Sequence, residues 1–471
     1  MSIFRQYDIR GIVGKTLKND TAKKIATIFG QMLKDRKDGN SVAIGYDARL
    51  SSKDLSVAAT KGLLANGLNV IDIGLVPTPV LYYSTFRLDT SGAIMITGSH
   101  NPPEYNGMKL CVGNDTIYGG AIKEIEKRMN LPVENRETGS YKKFNILDSY
   151  IKTLTDNFSE TADLIKQLER SVKVVVDSGN GTAGIAAPTV FKKLGFEVIE
   201  LYSNPDGNFP NHHPDPTIEA NLEELKRKVK ETKSDFGIAY DGDADRIGAV
   251  DETGRTIWGD KLLLIFALDI IASWKKKEAP VIISEVKSSN VLYETVKNAG
   301  GNIIMWKTGH SLIKAKMKET GAVLAGEMSG HLFFKDRYYG YDDAIYASLR
   351  LAEIFVKNRI RNREFKLSDV LKDLPETVTT PEIRTECPDK IKHKIPLLVK
   401  EAIEKENYED IKDIITIDGV RIVFDHGWAL VRASNTQAVL VSRFEAGSPE
   451  NLKKIKTRVD AIVDKCIKSL S

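Results

Sequence analysis

The sequence predicts an α/β protein: three related α/β domains with mixed, largely parallel sheets, and a C-terminal α+β domain, arranged around a central cleft. Three observations predict it. Short β-branched strands alternate with helical patterns in three successive units, and each unit ends on a further strand that runs into a loop of glycine and polar residues. After about residue 368 the alternation gives way to hairpins and one long amphipathic segment. The 471 residues accommodate this layout, because domains of about 100–150 residues each hold a core of their own.

The opening strands of the three units are Val42-Ala-Ile-Gly-Tyr-Asp47, Val172-Lys-Val-Val-Val-Asp177 and Val281-Ile-Ile-Ser-Glu285. A helical pattern follows each and stops at glycine, at Gly67, at Gly195 and at the pair Gly300-Gly301. Second strands come next, at Val70–Ile73, Val198–Leu201 and Ile303–Trp306. Strand, helix, glycine cap and strand make a βαβ unit, whose right-handed crossover gives a parallel sheet with helices on its faces.

Third strands then lead into Thr97-Gly-Ser-His-Asn-Pro102, Asp241-Gly-Asp-Ala-Asp-Arg246 and Gly326-Glu-Met-Ser-Gly-His331. Parallel sheets bind ligands beyond the carboxyl ends of their strands, which is where these loops fall. The C-terminal part has strands Val420–Phe424, Trp428–Val431 and Val439–Arg443, a polar loop Arg432-Ala-Ser-Asn-Thr-Gln437, and an amphipathic helix from Pro449 to Leu470. The predicted boundaries are 1–147, 148–253, 254–368 and 369–471.

Composition narrows the functional classes. A net charge of +4 over 68 basic and 64 acidic residues is a small surplus that favours anionic ligands without marking a nucleic-acid surface. The basic runs Lys226–Lys230 and Lys275–Lys277 are interrupted or flanked by acids and lack interleaved aromatics, so they read as solvated helix faces. The apolar run Leu262–Leu268, between Lys261 and Asp269, is too short to span a bilayer and reads as a buried helix. No nucleic-acid or membrane partner is expected. Cys111, Cys387 and Cys466 stand far apart in no metal-like or redox spacing, which suits a reducing cytoplasm.

Two loops carry chemistry. Ser99 sits on a glycine-tightened turn directly after an apolar strand, where its hydroxyl is held in place. Asp241, Asp243 and Asp245, at every second position, can converge on one hard divalent cation. An EF-hand reading of that loop fails, because Arg246 stands where the turn needs glycine and the flanks read as strands. A poised serine beside an oxygen-ligand metal loop points to phosphoryl chemistry. The guanidinium of Arg432 suits bidentate phosphate contacts. His212 and His213 lack a ligand pattern and read as loop residues.

These four loops, in this order, resemble the active-site loops of the α-D-phosphohexomutases, and the resemblance covers nearly the whole chain. Gly326-Glu-Met-Ser-Gly-His331 is most similar to the bifunctional phosphomannomutase/phosphoglucomutase branch, and Tyr7-Asp-Ile-Arg-Gly11 also looks like the family's opening motif. Ala244 departs from the glycine that many members carry.

The resemblance implies reversible conversion of a hexose 6-phosphate into its 1-phosphate through a phosphoserine enzyme, with a hexose 1,6-bisphosphate as intermediate and activator. It implies Ser99 as phosphoryl carrier and Mg²⁺ held by Asp241, Asp243, Asp245 and a phosphoserine oxygen. Lys109 and Arg246 are expected to offset charge on the transferring group, and Arg10, counted with the catalytic residues, to line the same cleft with Lys287. Lys109, His310 and His100 are the candidates, in that order, for the general base. Tyr7, Lys287, Glu327, Ser329 and His331 are expected to bind substrate, and Arg432, Ser434, Asn435 and Thr436 to grip the distal phosphate. A cytoplasmic monomer or weak dimer is expected. The rival readings are a phosphoglucosamine mutase, a metal-dependent sugar phosphatase and a non-catalytic sugar-phosphate sensor.

Overall fold

The three α/β units share one topology. In the first sheet, strands Asn69–Leu75, Ser41–Tyr46, Gly92–Ile96 and Tyr105–Val112 lie side by side in that order. The first three are parallel and the fourth turns back antiparallel. The same arrangement recurs as Glu197–Leu201, Lys173–Asp177, Phe236–Tyr240 and Ile247–Asp251. It recurs again as Asn302–Trp306, Val281–Glu285, Leu324–Gly326 and Leu332–Phe334. The sheets are therefore mixed. The serine, aspartate and Glu-Met-Ser-Gly-His loops occupy one equivalent place in all three, the turn from third strand to fourth. The computed structural model describes residues 2–36, 39–132, 138–406, 408–434 and 438–470.

Glycine ends the crossover helices as the sequence predicts, with φ of +72° at Gly67, +94° at Gly195 and +91° at Gly300. The run Leu262–Leu268 lies in the helix Gly259–Ser273, with Leu262 to Ala267 buried. No helix among the described residues is long and apolar enough to cross a membrane. Lys226–Lys230 lies on the helix Glu223–Thr232, where Lys226 and Arg227 pair with neighbouring glutamates. Lys275–Lys277 is not a helix face, because the helix stops at Ser273 and Trp274 is extended, leaving the three lysines on an exposed connection.

The fourth unit is an antiparallel six-stranded sheet covered by the helices Ile395–Glu406 and Pro449–Leu470. It has its own core, built from residues such as Val399, Ile422, Val431, Phe444 and Val459. One continuous core, by contrast, runs through the first three units, from Ala43 and Tyr83 through Phe191 and Phe236 to Phe266 and Leu351. The fourth unit joins the third at a compact joint, where Arg421 reaches the Ser288 carbonyl at 2.9 Å and stacks on Trp428 at 3.7 Å. A desolvated cation–π contact of this kind contributes roughly 2 kcal/mol. Packing thus makes a body of three units with a fourth attached.

Candidate active site

The serine loop is held by a buried arginine that has no place in the motif. Arg49 Nη2 donates to the Ser99 carbonyl at 2.8 Å, and Nη1 donates to the carbonyls of Pro102 and Tyr105 at 2.6 and 3.0 Å. The Gly98 amide donates to Asp47 Oδ2 at 3.0 Å and the Ser99 amide to Thr97 Oγ1 at 2.8 Å. These bonds keep Ser99 at φ +48°, a left-handed conformation that a non-glycine residue adopts only when its surroundings enforce it. Gly98 is required, because a β-carbon there would lie 2.2 Å from Arg49 Nε. Gly242 is required as well, since its β-carbon would lie 2.6 Å from the Ser99 carbonyl oxygen. The serine and aspartate loops are in direct contact.

That contact delivers the hydroxyl to the carboxylates. Ser99 Oγ donates to Asp241 Oδ2 at 2.8 Å and lies 3.1 Å from His100 Nδ1. One oxygen from each of Asp241, Asp243 and Asp245 lies within 4.8 Å of the others, and all three side chains are fully buried. Asp243 Oδ2 accepts from Thr78 Oγ1 at 2.6 Å and Thr97 Oγ1 at 3.0 Å, whereas Asp243 Oδ1 and Asp245 Oδ1 have no hydrogen-bond partner among the described residues. Burial and the neighbouring charges of Asp245 and Asp243 push the Asp241 carboxyl well above its ordinary pKa. Crowded carboxylates with orphaned oxygens are the chemistry of a hard-cation site, and the residues present fit Mg²⁺.

Ala244, inside this loop, has φ +61° and is fully buried. A left-handed conformation costs a non-glycine residue roughly 1–2 kcal/mol, partly offset by the greater flexibility of glycine in the unfolded chain. Ala244→Gly is therefore expected to raise unfolding free energy by up to about 1 kcal/mol and to leave activity in place. A urea midpoint lower than that of the unaltered protein would show that the buried methyl matters more than the strain.

Cations surround the carboxylates. Lys109 Nζ lies 3.2 Å from Asp243 Oδ2 and also pairs closely with Asp245. Burial opposes its charge, but Asp243 and Asp245 outweigh burial and hold the Lys109 pKa above the lysine norm. A lysine held charged in this way suits charge neutralisation. His100 is held well below the ordinary histidine pKa by burial and by Arg246 and Arg10, and His310 by burial and Lys314. Both rings are neutral near pH 7, and His310 Nδ1 has no hydrogen-bond partner among the described residues.

Arg10 ties the opening motif to the serine loop, donating to Asp8 at 2.6 Å and to the Gly98 carbonyl. His331 is placed against protein, not aimed alone at a ligand. Its Nδ1 lies 3.1 Å from the Asp245 carbonyl, which leaves Nε2 to accept from Arg246 Nε at 3.1 Å, so His331 orients Arg246. Asp342, absent from every motif, lies 3.2 Å from His331 Nδ1 and pairs with Lys314 at 3.0 Å.

Glu327 accepts from the Gly309 amide at 2.7 Å, and burial with the Glu285 charge raises its pKa. Ser329 is half-buried on the same turn. The Tyr7 hydroxyl donates to the Thr308 carbonyl at 2.8 Å, and Lys287 lies 3.4 Å from Glu285 and 3.2 Å from Glu382. Arg432 and Ser434 are buried in the fourth unit, while Asn435 and Thr436 lie outside the described residues. His213, read as a loop residue, donates from Nε2–H to the His100 carbonyl of the serine loop in a close contact. Its neighbour His212 is fixed on Asp177 at 3.0 Å.

Comparison with known proteins decides the family. Four phosphoglucomutase/phosphomannomutase profiles match in succession: α/β/α domain I at residues 1–135, domain II at 148–254, domain III at 258–378 and the C-terminal domain at 382–462. The chain belongs to the phosphoglucomutase/phosphomannomutase family. It is 44% identical over 455 residues to a phosphomannomutase/phosphoglucomutase of Pseudomonas putida, covering 97% of this chain and 94% of that one. It is 40% identical over 467 residues to a phosphoglucomutase of Neisseria gonorrhoeae, covering 98% and 96%. The crystal structure of a family protein from Burkholderia thailandensis superposes with a TM-score of 0.88 at 40% identity, covering 98% and 97%.

Proposed function

We propose that the protein interconverts hexose 6-phosphates and hexose 1-phosphates, of mannose, glucose or both, with Ser99 carrying the phosphoryl group. The observation that carries this reading is the Ser99 hydroxyl, held 2.8 Å from Asp241 at the edge of a three-carboxylate cluster in a chain of this family. A sugar hydroxyl attacks the phosphorus of phosphorylated Ser99, the bond from phosphorus to Ser99 Oγ breaks, and the proton of the sugar hydroxyl passes to a base. The resulting bisphosphate turns around. Ser99 Oγ, protonated when it left phosphorus, then gives up its proton and attacks the other phosphorus, the bond from that phosphorus to the sugar oxygen breaks, and the sugar oxygen takes up a proton, which regenerates the phosphoserine and frees the isomeric monophosphate.

His100 and His310 are neutral and suited to take the proton, with His100 already beside Ser99 Oγ. Lys109 and Arg246 offset charge on the loose, metaphosphate-like group in transit. Mg²⁺ held by Asp241, Asp243 and Asp245 would supply further charge neutralisation at the transferring phosphate. Glu327 and Ser329 bind neighbouring sugar hydroxyls, a contact that either end of a turned hexose can offer. Initial rates with mannose, glucose and glucosamine 1-phosphates, each with catalytic hexose 1,6-bisphosphate, test the reading. Steady release of inorganic phosphate without isomerisation would instead establish a phosphatase, and a clear preference for the glucosamine ester would reassign the substrate.

Arg432 grips the phosphate that is not being transferred, in both orientations of the sugar. Loss of a charge-assisted contact of this type costs about 1.5–3 kcal/mol, a tenfold to hundredfold effect. Arg432→Ala is expected to raise the apparent KM by that factor and to release free bisphosphate during turnover. An unchanged KM with no extra release would make the fourth unit a structural cover only.

A further inference from the structure

Asp418 belongs to none of the loops discussed above, yet it makes one of the contacts by which the fourth unit meets the third, beside those of Lys287 with Glu382 and of Arg421 with Ser288. It sits in the turn between the strands Ile411–Ile415 and Val420–Phe424. Gly419, next to it, has φ +85°, and a β-carbon there would come within 2.4 Å of the Val431 carbonyl oxygen and 2.6 Å of Arg432 Cβ. The turn therefore lies flat against the strand that carries Arg432.

One oxygen of Asp418 serves two purposes. Oδ2 accepts from Arg432 Nε at 3.0 Å, with Arg432 Nη2 also 3.0 Å away, and it accepts from the Thr308 amide at 3.1 Å. Thr308 lies in the third unit, and its carbonyl accepts from the Tyr7 hydroxyl of the first unit at 2.8 Å. The N–H and C=O of one residue thus bind the fourth unit and the first. The joint at Arg421 and Trp428 is a separate contact, made with residues that follow the strand Val281–Glu285.

We propose that Asp418 is a positioning residue that couples the orientation of Arg432 to closure of the fourth unit over the cleft. The proposal rests on the reading of Arg432 as the grip on the distal phosphate. A guanidinium held side-on by a carboxylate keeps one orientation while its long side chain would otherwise sample many rotamers. Because the same carboxylate oxygen also accepts from the Thr308 amide, closure fixes the Asp418 side chain that aligns Arg432, and opening removes that anchor. Closure and phosphate grip therefore rise and fall together, and opening for the turn of the intermediate relaxes both.

The test uses full-length protein with Asp418→Asn and Asp418→Ala, and Asp410→Asn as a control at a surface pair with Arg458, 2.7 Å apart within the fourth unit. Small-angle scattering without substrate is expected to show a larger radius of gyration for both Asp418 variants, more so for alanine. Kinetics with glucose 1-phosphate and glucose 1,6-bisphosphate are expected to show KM raised about tenfold, kcat changed much less, and more free bisphosphate per turnover. The control should match the unaltered protein in both measurements. Wild-type scattering and KM in whichever Asp418 variant folds would overturn the proposal. A change in scattering without one in KM, or the reverse, would overturn the coupling. Absence of mutase activity in the unaltered protein would count against the functional reading, while the scattering comparison would still judge the contact.

Discussion

Ser99→Ala is expected to lower mutase turnover by on the order of 10⁴–10⁶-fold, the scale seen when a covalent-catalysis nucleophile is removed. Among the described residues three hydroxyls touch the carboxylate cluster, so the claim needs a reason to choose among them. Thr78 and Thr97 both donate to Asp243 Oδ2, at 2.6 and 3.0 Å, and Thr97 Oγ1 also accepts from the Ser99 amide. Their oxygens are spent on holding the loop. Ser99 Oγ has a neutral histidine nitrogen at 3.1 Å and a strained turn that aims it at the cluster. Alanine keeps the turn and removes only the oxygen, so sugar-phosphate binding should persist. Incubation with glucose 1,6-bisphosphate followed by peptide mass spectrometry should place one phosphate on Ser99. Stoichiometric phosphate on Thr97 or elsewhere, with the alanine variant fully active, would sink the assignment.

The parts of the site that could be read from sequence are those encoded locally. Glycine at Gly67, Gly195 and Gly300 marks helix ends because the chain takes a positive φ there, and the alternate spacing of Asp241, Asp243 and Asp245 survives as a cluster because the loop is short. The supporting residues could not be read that way. Arg49 lies 50 residues from Ser99 in sequence, and Asp342 is 97 residues from Asp245; each reaches the site only through sheet packing. The sequence around Arg49 offered a weak signal, an arginine two residues beyond the aspartate that ends a parallel strand. The carboxylate partners of Lys109 were hidden for the same reason, since both belong to another unit. Lys275–Lys277 was misread because charge pattern does not reveal that the helix ends at Ser273.

Asp243→Asn is expected to reduce turnover by roughly 10²–10³-fold, the size of losing one preorganised electrostatic group, and to shift half-saturation to higher Mg²⁺. The direction follows from which oxygen is already engaged. Thr78, Thr97 and Lys109 all approach Asp243 Oδ2, so in the variant the amide carbonyl must take that position to accept from them. The amide nitrogen then falls where Oδ1 stands, the oxygen that has no protein partner, and presents hydrogens to the place a cation needs. The cluster loses one charge and gains a donor of the wrong sign. Burial opposes ionisation of Asp243, but Lys109 and the threonine hydroxyls hold its pKa below the usual carboxylate range, so the negative charge being removed is present throughout neutral pH. The fold should be intact because the threonine contacts are conserved by the carbonyl. Activity measured against Mg²⁺ after exhaustive chelation checks the claim: turnover of the unaltered protein that survives chelation, or a variant with unaltered metal dependence, would exclude a catalytic cation at these three aspartates.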